Sequence, residues 1–176
     1  MIIESPIDLE LTQLSGQTSQ PPWRKCGDCY REVVNVNDKP VIFSVKQSGK
    51  FLDFDFEGDI SADEAISKLT YIYDLNFDLD NFYRYLNNHA ELSEMSKFCE
   101  GLRLFLAHDP FECIISSICS ANNSIIRWTK SISDMKQKWG NRYGDYYAFP
   151  QSSDLAKIYL DDEEEFNSSD IQEICD

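Results

Sequence analysis

The chain has 176 residues, 42% of them hydrophobic and 13% aromatic, enough for one substantial core or two small ones and too apolar for intrinsic disorder. It contains no run of about 18 uninterrupted apolar residues to span a membrane, and Met1-Ile2-Ile3-Glu4-Ser5-Pro6 has an acid and a proline where a secretory signal needs a basic start and an apolar stretch, which points to an intracellular protein. The formal net charge of −15, taken alone, argues against nucleic-acid binding, because affinity for phosphates is built from cations.

The first third reads as strands. Ile7, Leu9 and Leu11 alternate with Asp8, Glu10 and Thr12, the two-residue period of a sheet wet on one side. Cys26-Gly27-Asp28-Cys29 then reads as a Gly-Asp turn between strands that carries flanking cysteines. As a zinc site it would need two more ligands, and His89 and His108 have no paired spacing, so no metal or cofactor is expected. Without a secretory signal the six cysteines are expected to be thiols. Tyr30 to Val36 and Val41 to Lys46 are separated by Asn37-Asp38-Lys39-Pro40, Ser48-Gly49 makes the next turn, and Leu52, Phe54 and Phe56 alternate with acids. An antiparallel meander from about Ile7 to Gly58 follows from these signals.

After Gly58 the period becomes helical. Ser61 and Glu64 form a capping box ahead of Ala65, Ile66, Leu69, Ile72 and Tyr73. Leu79, Phe82, Tyr83 and Leu86 mark a second helix, and Leu92, Met95, Cys99 and Leu102 a third. Asp109 is then an N-cap, Pro110 fits the first helical turn, and Glu112 completes a capping-box-like pattern. Phe111, Ile114, Ile115, Ile118 and Cys119 recur at helical spacing and predict a core face, while Asn122, Asn123 and Ser124 supply turn and cap chemistry. The next helix runs from Ile125 through Trp128, Ile132 and Met135 to Trp139 and stops at Gly140, with both tryptophans on its apolar stripe.

Charge is distributed unevenly. Residues 161 to 176 hold eight of the 31 acids and no base, so 23 acids remain against 16 bases elsewhere. From Asn122 to Tyr147 the balance reverses: Arg127, Lys130, Lys136, Lys138 and Arg142 face only Asp134 and Asp145. That is either a solvated helix face or the local cationic footprint of a docking surface. Ser153-Asp154 caps a short helix through Leu155 and Ile158, and Ser169 to Gln172 hints at another, with the acidic run between them read as a loop or insertion.

The nineteen residues from Asp109 to Arg127 resemble a motif of the 8-oxoguanine DNA glycosylases. Ser15-Gly16-Gln17-Thr18, followed by Trp23-Arg24, is a second and weaker match, and the likeness extends through Gly101-Leu102-Arg103-Leu104 and to Phe149-Pro150. The resemblance implies an α+β fold: an N-terminal antiparallel β-sheet with packed helices over residues 1–108, then the opening helices of an all-α glycosylase domain over residues 109–176. It implies damaged double-stranded DNA as partner, excision of an oxidised purine opposite cytosine, and cleavage of the abasic strand through a lysine Schiff base. Such an enzyme must rotate the base out of the duplex and fill the hole left behind. By resemblance Asn122 enters the vacated stack, with Asn123 beside it at the DNA, and Arg127 hydrogen-bonds the estranged cytosine. The Gly16 carbonyl accepts from the hydrogen that the oxidised base carries at N7, where normal guanine presents an acceptor. Simple capping by Asn122 and Asn123 and a plain glycine turn at Gly16 are the alternatives.

Two departures qualify the resemblance. Ser19-Gln20-Pro21-Pro22 intervenes before Trp23, where many relatives have an aromatic almost at once, which leaves the pocket shape open. The family's nucleophilic lysine and its aspartate lie downstream of the matched region, so no catalytic residue is assigned here, the isolated chain is expected to be inactive, and a downstream segment or second chain is expected to complete the site. A non-catalytic DNA-binding module and an acidic α+β interaction protein are the competing functions. Alkylation-repair relatives compete on substrate, and Ser15-Gly16-Gln17 favours the oxoguanine branch.

Overall fold

Apolar alternation builds a sheet from strands whose inner residues are sealed from water. In the computed structural model, which describes residues 1–161, β1 (Ile2–Glu4), β2 (Arg24–Cys26), β3 (Cys29–Val36), β4 (Lys39–Ser48) and β5 (Phe51–Glu57) form one sheet in the order β1-β5-β4-β3-β2. Val41, Phe43 and Val45 of β4 and Leu52 and Phe54 of β5 point inward and are at most 2% exposed. Asn37 and Asp38 take φ of 51° and 63°, the paired left-handed conformation of a two-residue hairpin turn. Lys39 and Pro40, expected in that turn, therefore belong to β4. Cys26 and Cys29 face each other across the β2–β3 turn, with Gly27 at φ 65°. Among the described residues no His, Cys, Asp or Glu cluster suits a metal.

One expected strand is a helix. Ile7 to Thr12 alternate, yet α1 (Leu9–Leu14) forms because Asp8 accepts from the Leu11 backbone at 2.8 Å, an N-cap that a strand would not use. The sheet instead gains β1, which pairs with β5 through Ile3 and Leu52.

The chain divides into two compact units, one of Met1–Gln17, Pro22–Glu32 and Val36–Leu106, the other of Thr18–Pro21, Val33–Asn35 and the chain from Ala107 onward. In the first, α2 (Ala62–Ile72) starts at the capping box of Ser61 and Glu64 and buries Ala65, Leu69 and Ile72. Two shorter helices follow, α3 (Leu79–Asn87) and α4 (Ser93–Phe98). The core centres on Trp23, whose ring meets those of Tyr73, Phe105 and Phe43 at 5.7, 6.2 and 6.3 Å.

The second unit is built on two helices, α5 (Pro110–Ser120) and α6 (Ile125–Trp139). A hairpin of β6 (Arg142–Tyr143) and β7 (Tyr146–Tyr147) and then α7 (Ser152–Asp161) follow them. Cys119, Trp128, Ile132 and Phe149 form its apolar core, with Phe111, Ile115 and Met135 packed against them. The expected core face of α5 is too wide, because Ile114 and Ile118 lie one stripe over and are 59% and 64% exposed. Gly140 ends α6 with an ordinary φ of −82°. Glycine is required there by close approach, since a Cβ would collide with the Ala148 carbonyl oxygen. The acidic run after Asp161 and the helix suggested by Ser169 to Gln172 lie outside the described residues. No helix among the described residues is long and apolar enough to cross a membrane.

Candidate nucleic-acid interface

The ends of α5 and α6 are set by small polar side chains that accept from backbone N–H groups. Asp109 starts α5 by accepting from the backbone of Phe111 and Glu112 at 2.8 and 3.1 Å, and Pro110 occupies the first turn, where no donor is needed. At the far end Ala121 N donates to Ile118 O and Asn123 N donates to Ser120 O. Asn123 Oδ1 accepts from Ser124 N at 2.8 Å, and Ser124 caps α6 by accepting from Arg127 N at 3.4 Å. Asn123 is thus partly committed to the turn.

Asn122 is placed differently. It takes a left-handed φ of 57°, which asparagine tolerates better than most residues. Its side chain is exposed and makes no hydrogen bond among the described residues. Arg127, in the first turn of α6, is likewise exposed and without an ion pair among the described residues. That first turn contains no acid, so the positive end of the helix and the guanidinium act on the same region of solvent. The structure brings Asn122, Asn123 and Arg127 onto one turn. Lys130 and Lys138 add exposed cations along α6, but Lys136, read from the sequence as part of the same basic face, turns inward.

Gly16 stands in the other unit, directly after α1, with φ 66° and open space where a Cβ would be. Its neighbours are tied down: Ser15 Oγ donates to Thr12 O at 2.8 Å, and Gln17 Nε2 donates to Ser15 Oγ at 2.8 Å and to Arg103 O at 3.0 Å. Arg103 is 4% exposed and donates to the carbonyls of Pro6, Asp74 and Phe77 at 3.0, 2.8 and 3.2 Å. Burial pulls its pKa down, but an arginine so bonded stays charged. Gln13 donates to the Tyr73 hydroxyl at 2.6 Å and accepts from Trp23 N at 2.9 Å, and burial raises the Tyr73 pKa. These bonds hold α1 and the backbone at Gly16 in one conformation.

A second polar cluster escaped the sequence reading. Glu112 does not return to its N-cap; its side chain is 2% exposed, with Oε1 2.9 Å from Lys136 Nζ. Gln20 and His108 complete the group, and Gln20 Oε1 accepts from His108 N at 2.7 Å. The signal was present: Lys136 continues the stripe of Trp128 and Ile132 at helical spacing, and Glu112 sits beside Phe111 on the inner side of α5. Opposite charges on the apolar stripes of consecutive helices mark a buried pair.

Residues 1–114 match the family model described as 8-oxoguanine DNA glycosylase, N-terminal domain. Over 133 residues the chain is 46% identical to the probable N-glycosylase/DNA lyase of Methanothermobacter thermautotrophicus, covering 76% of this chain and 42% of that protein. The apo-form 8-oxoguanine glycosylase/lyase of Clostridium acetobutylicum superimposes with a TM-score of 0.71 at 26% identity, over 97% of this chain and 55% of that one. The same enzyme in complex with double-stranded DNA containing cytosine opposite 8-oxoguanine gives 0.70 at 26% identity, over 97% and 54%. The chain therefore spans about half the length of these relatives.

Proposed function

The chain belongs to the 8-oxoguanine DNA glycosylase family, and from that premise we propose that it supplies the lesion-facing part of a base-excision repair glycosylase/AP lyase acting on 8-oxoguanine opposite cytosine. The observation that carries this reading is the α5–α6 turn, where an asparagine side chain with no hydrogen bond among the described residues, in a left-handed conformation, precedes an exposed arginine in an acid-free first turn. Asn122 enters the space left by the extruded base, Asn123 holds the turn against the DNA, and Arg127 donates to the estranged cytosine. Gly16 presents its carbonyl to N7–H of the lesion, a role that needs a fixed backbone, and the bonds of Ser15, Gln17 and Arg103 support it. We take Asp109, the N-cap of α5, as the start of the helical glycosylase portion.

No described lysine is assigned as nucleophile. Schiff-base chemistry needs a free amine, whereas the hydrogen bonds that Lys25 and Lys39 donate to Glu10 and Asp59 raise their pKa and hold them as ammonium. Lys136 is engaged by Glu112. The active site is completed by a downstream segment or a second chain, and the exposed isoleucines 114, 118, 125 and 126, all on the α5–α6 pair, support a surface that such a segment covers.

The test is duplex binding with parallel borohydride trapping. The 176-residue chain is expected to bind a duplex with 8-oxoguanine opposite cytosine more tightly than the undamaged duplex, and to yield no covalent adduct. Equal affinity for both duplexes overturns the DNA reading. Robust trapping abolished by changing a single lysine overturns the placement of the nucleophile elsewhere.

A further inference from the structure

Glu112 gathers partners from three parts of the second unit. Besides Lys136, its Oε2 accepts from Gln20 Nε2 at 3.3 Å and lies 3.6 Å from His108 Nε2. The lysine side chain is only 12% exposed, so both charges are largely withdrawn from water and depend on one another. Glu112 is in the first turn of α5 and Lys136 in the last turn of α6, the end opposite the connecting turn. Two helices joined only by a turn can splay; these are also clamped at their free ends. Gln20 adds a second tether, because it belongs to the four-residue departure from the family pattern that begins three residues after Gly16. Its side chain is buried, and through His108 N and Glu112 it holds that segment within the second unit.

We propose that Glu112 is a positioning residue for lesion recognition: through Lys136 it sets the α5–α6 pair that presents Asn122 and Arg127, and through Gln20 it anchors the segment that follows Gly16. Buried ion pairs add little net stability compared with apolar residues of the same volume, but they specify one arrangement over another. The inference rests on the α5–α6 turn facing DNA. It adds a residue that touches neither base nor backbone, yet decides the aim of those that do.

The experiment compares Glu112→Gln with the double variant Glu112→Gln/Lys136→Met in the 176-residue chain, by amide hydrogen exchange and by the ratio of affinities for 8-oxoguanine opposite cytosine and opposite adenine. Glu112→Gln removes the carboxylate charge that faces the Lys136 ammonium, and is expected to speed exchange from Asn123 to Arg127 about tenfold and to lower the cytosine preference about tenfold. The double variant removes both charges and is expected to return both readouts to within about threefold of wild type. A loss of folded protein would weaken every duplex equally and leave the ratio unchanged. Gln20→Met keeps the ion pair and serves if Glu112→Gln does not fold: it is expected to speed exchange from Thr18 to Gln20 and at the His108 amide, which loses Gln20 Oε1. Unchanged exchange and ratio in Glu112→Gln, a double variant as perturbed as the single one, or no change in Gln20→Met overturns the proposal. A wild-type chain that does not distinguish damaged from undamaged duplex overturns the DNA reading instead, and exchange then decides the role of Glu112 alone.

Discussion

Two left-handed residues end two helices of this chain, and they differ in what they present: one only backbone, the other a side chain. Gly16 after α1 has neighbours whose side chains bond to Thr12 and to the Arg103 carbonyl, while Asn122 after α5 carries a side chain that makes no hydrogen bond among the described residues. The contrast separates two ways of reading a nucleotide. A backbone carbonyl discriminates a hydrogen at N7 from a lone pair only if it does not move, and the bonds of Ser15 and Gln17 suit that proposed role. A side chain that enters a stack has to leave solvent and change partners, and the proposed insertion suits Asn122, whose side chain makes no hydrogen bond among the described residues. Under the proposed function, the backbone of one turn serves recognition and the side chain at the tip of the other serves insertion.

The comparison can be broken most severely at Arg103. Replacing it with alanine removes the donors for three carbonyls in the first unit, and is expected to destabilise that unit by about 3 kcal/mol in urea unfolding. A loss below about 0.5 kcal/mol, the ordinary range for a surface change, would mean that these three bonds do not hold together the unit that carries Gly16.

Gly16→Ala tests conformation alone, since no atom lies within 4 Å of the added Cβ. The left-handed φ is expected to cost about 1–2 kcal/mol of stability. A smaller change would show that the turn relaxes, contrary to the rigidity argued for it. Asn122→Gly sharpens the other half: glycine accepts the same φ, so stability should stay within about 0.5 kcal/mol while affinity for the lesion duplex falls. Affinity unchanged in the glycine variant would remove Asn122 from the interface.

The smallest effect belongs to the capping box, far from either turn. Hydrogen bonds from the Ser61 backbone and hydroxyl and from Asn37 lower the Glu64 pKa, so its contribution is full above the ordinary glutamate value of about 4.3 and is lost as pH falls through the lower folded value. The difference in Tm between wild type and Glu64→Gln should therefore shrink on acidification. A difference that grows as pH falls would reverse the assigned sign.

Much of this arrangement was legible in the chain. The alternation of Leu52, Phe54 and Phe56, the Ser61 and Glu64 box, and Asp109-Pro110 each state a local rule that the fold obeys. Reading failed where two rules competed. Ile7 to Thr12 satisfy a strand period and a capped helix at once, and one aspartate decides between them. Glu112 fits the capping-box spacing, yet a lysine twenty-four residues later claims it, a long-range pairing that local spacing does not contain. Ile114 and Ile118 are apolar without being core, because periodicity records which residues share a stripe and not whether anything covers that stripe. Asn122, Asn123 and Arg127 were singled out as DNA contacts only through resemblance; their shared turn is a property of the folded hairpin.

The central claim is that the α5–α6 turn reads the cytosine opposite the lesion, and Arg127 tests it most directly. The measurement is the affinity of wild type and Arg127→Ala for duplexes carrying 8-oxoguanine opposite each of the four bases. Loss of a well-made base contact is expected to weaken the cytosine duplex by roughly 1–3 kcal/mol and to bring the other three nearer to it. Equal weakening of all four duplexes would make Arg127 a phosphate contact, and no weakening of any would take the turn off the DNA; either result contradicts the account.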